Sequence, residues 1–140
     1  MADKTFQLEI LTLQRQFLRQ EARFVVAPGQ EGVFEILPGH APFVFALKPG
    51  DLRLRLPDGA DTHVATGAGF LIVQKENVTV LTRSAENPAE IDVARAGRAK
   101  QRAEERLQKH DDKLDVSRAQ AAFQRALARL KVASYSEKGL

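Results

Sequence analysis

Arg95, Arg98, Arg102 and Arg106 recur at three- and four-residue intervals, and Arg125 and Arg129 follow one helical turn apart. A guanidinium presents a planar fork of donors that fits carboxylates and phosphates, so a regular row of arginines is a candidate surface for an anionic ligand or partner. In the first segment acids stand close by. Lys100 and Glu104 are four apart, as are Glu105 and Lys109, which suits a solvated helix face laced with ion pairs. The second segment differs, because no acidic residue occurs between Asp115 and Glu137. Arg118, Arg125, Arg129 and Lys131 therefore have no acidic neighbour in sequence, and their complement is an acidic protein surface or a nucleotide. Spacing alone leaves both open. Nucleic acid fits less well: aromatic residues for base stacking are scarce beside these cations, and the first part of the chain is near neutral.

Catalytic patterns are missing. There is no GxxxxGK[ST] phosphate loop and no HExxH helix, and Gly67-Ala-Gly69 lacks the third glycine of a dinucleotide fingerprint. The absence of cysteine removes disulfides, thiolate nucleophiles and Cys-ligated metals. His40, His63 and His110 are scattered, without metal-ligand spacing. These features point to a binding protein rather than an enzyme, with no required cofactor.

The residues around the arginines divide the chain in two. All six prolines lie at or before Pro88, and the sequence beyond it turns to Ala, Arg, Gln, Glu and Leu, which are strong helix formers. Residues 1 to 88 carry nine Lys/Arg against ten Asp/Glu, and residues 89 to 140 carry twelve against eight, so the basic character belongs to the second part. Before Pro88, Phe6 to Ile10, Leu52 to Leu56 and Val78 to Thr82 alternate apolar and polar residues, as half-buried strands do. The denser runs Phe24-Val-Val-Ala and Phe70-Leu-Ile-Val are expected to be buried on both faces. Turns are expected at Pro28-Gly29, Pro38-Gly39, Pro49-Gly50, Asp58-Gly59 and Glu76-Asn77, with the Asp58-Gly59 hairpin the strongest signal. Many short strands at this spacing indicate a small antiparallel sandwich or barrel.

After Pro88, Ala96, Ala99, Ala103 and Leu107 mark one helix face, and Ala119, Phe123, Ala126 and Leu130 mark another. The segment from His110 to Asp115 interrupts the pattern, and Asp115 is placed to cap the second helix. Two helices of about twenty residues, each roughly 30 Å long, should form an antiparallel hairpin. Alanine buries little area, so this hairpin should be weakly held and able to move. No run of eighteen apolar residues and no leader pattern occurs, so the expectation is a soluble, unexported chain that meets a membrane only through partners.

Six motifs stand in a particular order: Glu31-Gly32, Leu37-Pro-Gly-His-Ala-Pro42, Leu47-Lys-Pro-Gly50, Gly67-Ala-Gly-Phe-Leu71, Val78-Thr-Val-Leu81 and Ile91-Asp-Val-Ala-Arg-Ala96. In this order they closely resemble the epsilon subunits of bacterial and chloroplast F-type ATP synthases, over about Phe6 to Val132. The resemblance implies a ten-stranded antiparallel β-sandwich over residues 1–88 and a regulatory two-helix hairpin over 89–140. It implies a non-catalytic subunit of the central stalk in a proton- or sodium-translocating enzyme, at the cytoplasmic face of the plasma membrane or, alternatively, at the thylakoid. Its partners would be the gamma subunit, the rotor ring of c subunits and the alpha/beta catalytic head, where basic residues of the extended hairpin meet an acidic beta-subunit segment and hinder hydrolysis. Arg118, Arg125, Arg129 and Lys131 are the candidates for that contact.

Some such proteins bind ATP as a regulatory ligand in the folded hairpin. The matching positions are Glu86, Ile91, Asp92, Arg95, Ala96, Arg102, Arg125 and Arg129. The family's usual glutamate and glycine before LPGHAP are replaced by Val33-Phe-Glu35, so the rotor-ring contact falls to Glu35 and His40. Gly97 lies inside the first helix at a cost of about 1 kcal/mol relative to alanine, and is a candidate hinge. A free-standing ATP-sensing module is the alternative reading.

Overall fold

The computed structural model describes residues 4–109 and 115–137. Ten strands, β1 (Phe6–Leu11), β2 (Gln16–Ala22), β3 (Phe24–Gly29), β4 (Gly32–Ile36), β5 (Phe43–Leu47), β6 (Gly50–Arg55), β7 (Asp61–Thr66), β8 (Gly69–Gln74), β9 (Asn77–Thr82) and β10 (Ala85–Glu86), join in the order β10-β7-β6-β3-β5-β8-β9-β1-β2, with β4 paired to β3. Every strand contributes to a single core, including Leu8, Ile10, Ile36, Leu52, Leu54 and Leu71, so the sheet is folded over on itself as a sandwich. One pairing departs from the antiparallel expectation. Strand β1 runs parallel to β9, with Leu8 opposite Val78 and Ile10 opposite Val80.

The two dense apolar runs are not buried on both faces. In β3 Val25 and Ala27 point inward, and in β8 Leu71 and Val73 do, whereas Phe70 is 52% exposed. The reason is that, among the described residues, no second layer covers the outside of β8. Outside β3, the guanidinium groups of Arg53 and Arg55 lie over the Phe24 ring at 5.2 and 4.9 Å.

The Asp58-Gly59 hairpin forms as expected: Gly59 adopts φ +92°, and Asp58 Oδ1 accepts from the Ala60 N–H at 2.9 Å. Three expected turns are displaced. Pro28 and Gly29 belong to β3, the turn falling on Gln30 and Glu31; Gly50 opens β6, leaving Lys48 and Pro49 as the link; and Lys75 rather than Asn77 shares a turn with Glu76. Gly69 is required by close backbone approach, because a Cβ there would lie 1.9 Å from the Leu81 carbonyl oxygen.

A short 3-10 turn at Pro88–Glu90 leads into α1 (Val93–Gln108), and α2 (Val116–Glu137) follows. Asp92 caps α1, its Oδ1 accepting from the Arg95 N–H at 3.0 Å, and Asp115 caps α2 through the Arg118 N–H at 3.1 Å. The interrupting segment from His110 to Leu114 lies outside the described residues. The buried residues along the seam between the helices are alanines, Ala96 and Ala103 on α1 and Ala119 and Ala126 on α2, beside half-buried Leu107, Phe123 and Leu130. The same seven-residue spacing on both helices lets the backbones approach closely.

Candidate functional site

The site is the contact between α2 and the outer face of β6 and β7. The two-residue period of a strand sends Leu52, Leu54 and Val64 into the core and turns Asp51, Arg53 and Arg55 outward on β6, with His63 and Asp61 outward on β7. Register sets these residues side by side: Asp51 opposite Ala65, Arg53 opposite His63 and Arg55 opposite Asp61. At the open end of this face Asp61 accepts from Arg55 at 2.6 Å and from Arg53 at 3.2 Å. The Arg55 hydrogen bond holds the Asp61 carboxyl below the usual carboxylate range against the opposing effect of desolvation, and Arg53 adds a lesser lowering.

At the other end α2 covers the face. A small apolar cluster of Ala65, Ile91, Val132 and Ala133 joins the sandwich to the hairpin. Polar contacts surround it. Arg129 Nε donates to Glu86 Oε1 at 2.6 Å, bridging 43 positions of sequence. Lys131 Nζ lies 3.6 Å from Asp51, and His63 Nδ1 lies 3.0 and 3.2 Å from the two Asp51 oxygens. The His63 ring stacks on Tyr135 with centroids 3.5 Å apart and planes 9° from parallel. Thus α2 has two working faces, one toward α1 and one toward the sandwich, whereas the alanine pattern marked only the first.

The candidate residues separate into groups. Glu86, Arg125 and Arg129 come together, lining with Thr66, Gly67 and Ser84 a depression that leaves about 10 Å³, room for one water. Ile91 is buried under α2, Asp92 is occupied as a cap and Ala96 closes the helix seam. Arg95 and Arg102 are exposed on α1. Of the four basic residues without acidic neighbours, Arg129 and Lys131 find partners on the sandwich, while Arg118 and Arg125 are exposed and have no ion-pair partner among the described residues. Lys100 pairs with Glu104 at 3.8 Å, and Glu105 and Lys109 form no such pair.

Glu35 is exposed on β4. His40, in the link to β5, has Nδ1 2.6 Å from the Ala41 carbonyl oxygen and meets the Phe45 ring edge-on at 5.9 Å. Phe34 stacks on Phe45 at 4.1 Å, and Val33, Leu37 and Phe43 are exposed beside this aromatic group. No motif in the sequence marks Asp51, His63 and Tyr135 as a set. Strand alternation could have placed Asp51 and His63 on one face, but nothing local pairs them with Tyr135.

Two family models match the chain in succession: the ATP synthase delta/epsilon chain β-sandwich domain over residues 5–88, and the ATP synthase delta/epsilon chain long α-helix domain over residues 89–134. The chain belongs to the ATP synthase epsilon chain family. It is 51% identical over 133 residues to the ATP synthase epsilon chain of Pelotomaculum thermopropionicum, covering 95% of this chain and 98% of that one. With the Syntrophomonas wolfei epsilon chain it shares 44% identity over the full length of both. Among solved structures, a chain of the Euglena gracilis mitochondrial ATP synthase OSCP/F1/c-ring assembly has the same fold, with a TM-score of 0.81 at 22% identity, over 93% of this chain and 81% of that one. No described helix of this epsilon-family chain is long and apolar enough to cross a membrane.

Proposed function

We propose that this chain is a non-catalytic central-stalk subunit whose sandwich binds the gamma subunit and the c-subunit ring, and whose hairpin restrains ATP hydrolysis when it leaves the sandwich. The observation that carries the reading is the construction of the α2 contact: a cluster of four small or medium apolar residues ringed by partly exposed polar pairs, a joint that can open. Opening would release Arg129 and Lys131 to join Arg118 and Arg125 as a cationic strip. An acidic beta-subunit segment is its chemical complement. Fully extended, residues 89 to 133 would reach roughly 65 Å at 1.5 Å per residue.

Docking on gamma is supported by an apolar row across the outer sheet, where exposed Ala46, Phe70 and Leu81 and half-buried Leu11 follow one another in register. Glu35 and His40, near exposed Val33, Leu37 and Phe43, are assigned to the ring contact. In this arrangement the chain is held at the membrane through its partners, on the cytoplasmic side.

The test is ATP hydrolysis by the assembled enzyme. Removing residues 89–140 should raise the rate, and replacing Arg118, Arg125, Arg129 and Lys131 together with alanine should reproduce most of that rise. Single replacements should each do little, since exposed pairs are worth about 0–1 kcal/mol, and salt should weaken the restraint. Equal rates for intact, truncated and four-alanine enzymes would refute an inhibitory hairpin.

ATP as a regulatory ligand is a second reading, favoured by the convergence of Glu86, Arg125 and Arg129. The space there is water-sized, so phosphate binding requires Arg129 to exchange Glu86 for the ligand. Bound ATP would stabilise the hairpin by mass action. Calorimetry with no heat at millimolar ATP would overturn it.

A further inference from the structure

Asp51 stands out among the groups under α2. Its side chain is only 8% exposed, and the two groups that face it, His63 Nδ1 at 3.0 Å and Lys131 Nζ at 3.6 Å, come from elements meeting at the hairpin contact. A carboxylate enclosed this far must keep its polar partners, so α2 covers it favourably only when the His63 hydrogen bond and the Lys131 ion pair are both in place. The ring is fixed from two directions: Asp51 receives its Nδ1 edge, and Tyr135, one turn beyond Lys131 on α2, covers its face at 3.5 Å. Asp51 and His63 belong to the sandwich, Lys131 and Tyr135 to the hairpin. Neither half is complete alone.

We propose that Asp51, His63, Lys131 and Tyr135 form a latch that sets how long the hairpin stays on the sandwich in the absence of nucleotide. It is separate from the Glu86–Arg129 contact and uses none of the residues Arg95, Arg102 and Arg125. The stacked rings supply orientation, and the buried carboxylate makes docking conditional on the correct register of α2: a slip by one residue would move Lys131 and Tyr135 off their partners by about 100° of helix rotation. The proposal rests on the reading that the hairpin opens as a unit.

Amide hydrogen exchange of the full chain without nucleotide tests it. In Tyr135→Ala and Asp51→Asn, amides of α2 should exchange roughly tenfold faster than in the unaltered chain, while those of β8 and β9 keep their rates and report an intact sandwich. Tyr135→Phe, which retains the ring, should lie closer to the unaltered chain than to Tyr135→Ala. Unchanged α2 exchange in both Tyr135→Ala and Asp51→Asn would overturn the latch, even with the hairpin opening independently. If α2 of the unaltered chain exchanges only together with β8 and β9, the hairpin does not open by itself, and both the latch and the inhibitory reading fail.

Discussion

The sandwich and the hairpin are closed by different chemistry. Inside the sandwich, Leu8, Ile10, Leu52, Leu54 and Leu71 are fully buried in one continuous core, whereas the fully covered residues of the helix seam are Ala96, Ala103, Ala119 and Ala126. Fully burying a leucine or isoleucine contributes about 1.5–3 kcal/mol, while an alanine methyl contributes roughly a single carbon's share of about 0.8 kcal/mol. Between the two regions lies a joint of intermediate character, with Val132 and Ile91 as its larger apolar members and polar pairs around them. In the function proposed above, this construction lets the helices change position while the strands keep their core.

Substitutions that act on one region and spare the other sharpen this comparison. Leu54→Ala should have the largest effect, lowering the stability of the whole fold by about 2–5 kcal/mol in denaturant unfolding. Val132→Ala should weaken only the joint, by about 1.6 kcal/mol for two buried carbons, seen as faster proteolysis of the hairpin with little change in sandwich melting. If Val132→Ala lowers sandwich stability as much as Leu54→Ala does, the two regions are one cooperative unit. Gly97→Ala should act in the opposite direction. A Cβ at Gly97 meets nothing within 4 Å, so alanine should strengthen α1 by about 0.4–1 kcal/mol, measured as slower amide exchange there. Should Gly97→Ala instead impair regulation of the assembled enzyme while α1 is strengthened, the glycine serves as a hinge.

The smallest effect concerns pH and lies away from the joint. Asp61 has its pKa lowered in the folded state, chiefly by the Arg55 hydrogen bond, so its contribution is present above the unfolded-state value near 3.9 and is lost as pH falls through the lower folded value. The unaltered sandwich should therefore lose slightly more thermal stability between neutral pH and pH 3 than Asp61→Asn does. An identical acid response in both would show that the pair contributes nothing.

Much of the architecture was legible because it rests on local signals. The Asp58-Gly59 turn, the alternation in β1, β6 and β9, the cap at Asp115 and the alanine spacing each depend on residues a few positions apart. What escaped notice depends on distant ones. The parallel β1–β9 pairing joins the start of the sandwich to its end, and the expected double-sided burial of Phe70-Leu-Ile-Val could not be judged without knowing that the outside of β8 is left uncovered by the described residues. The same holds at the site. Arg129 and Lys131 lack acidic neighbours in sequence, yet Glu86 and Asp51 reach them across the fold.

The separation of the two regions is tested most directly by an amide NMR spectrum of residues 1–88 alone, set beside that of the full chain. Every strand of the core lies within that span, and what it loses is the cover over β6, β7 and the Pro88 turn. The expected result is a dispersed spectrum in which β1, β2, β8 and β9 amides superimpose on those of the full chain, with shifts confined to residues near Asp51, His63 and Ala65. A collapsed, unfolded spectrum, or changes spread through β1 and β9, would contradict a self-sufficient sandwich carrying a detachable hairpin.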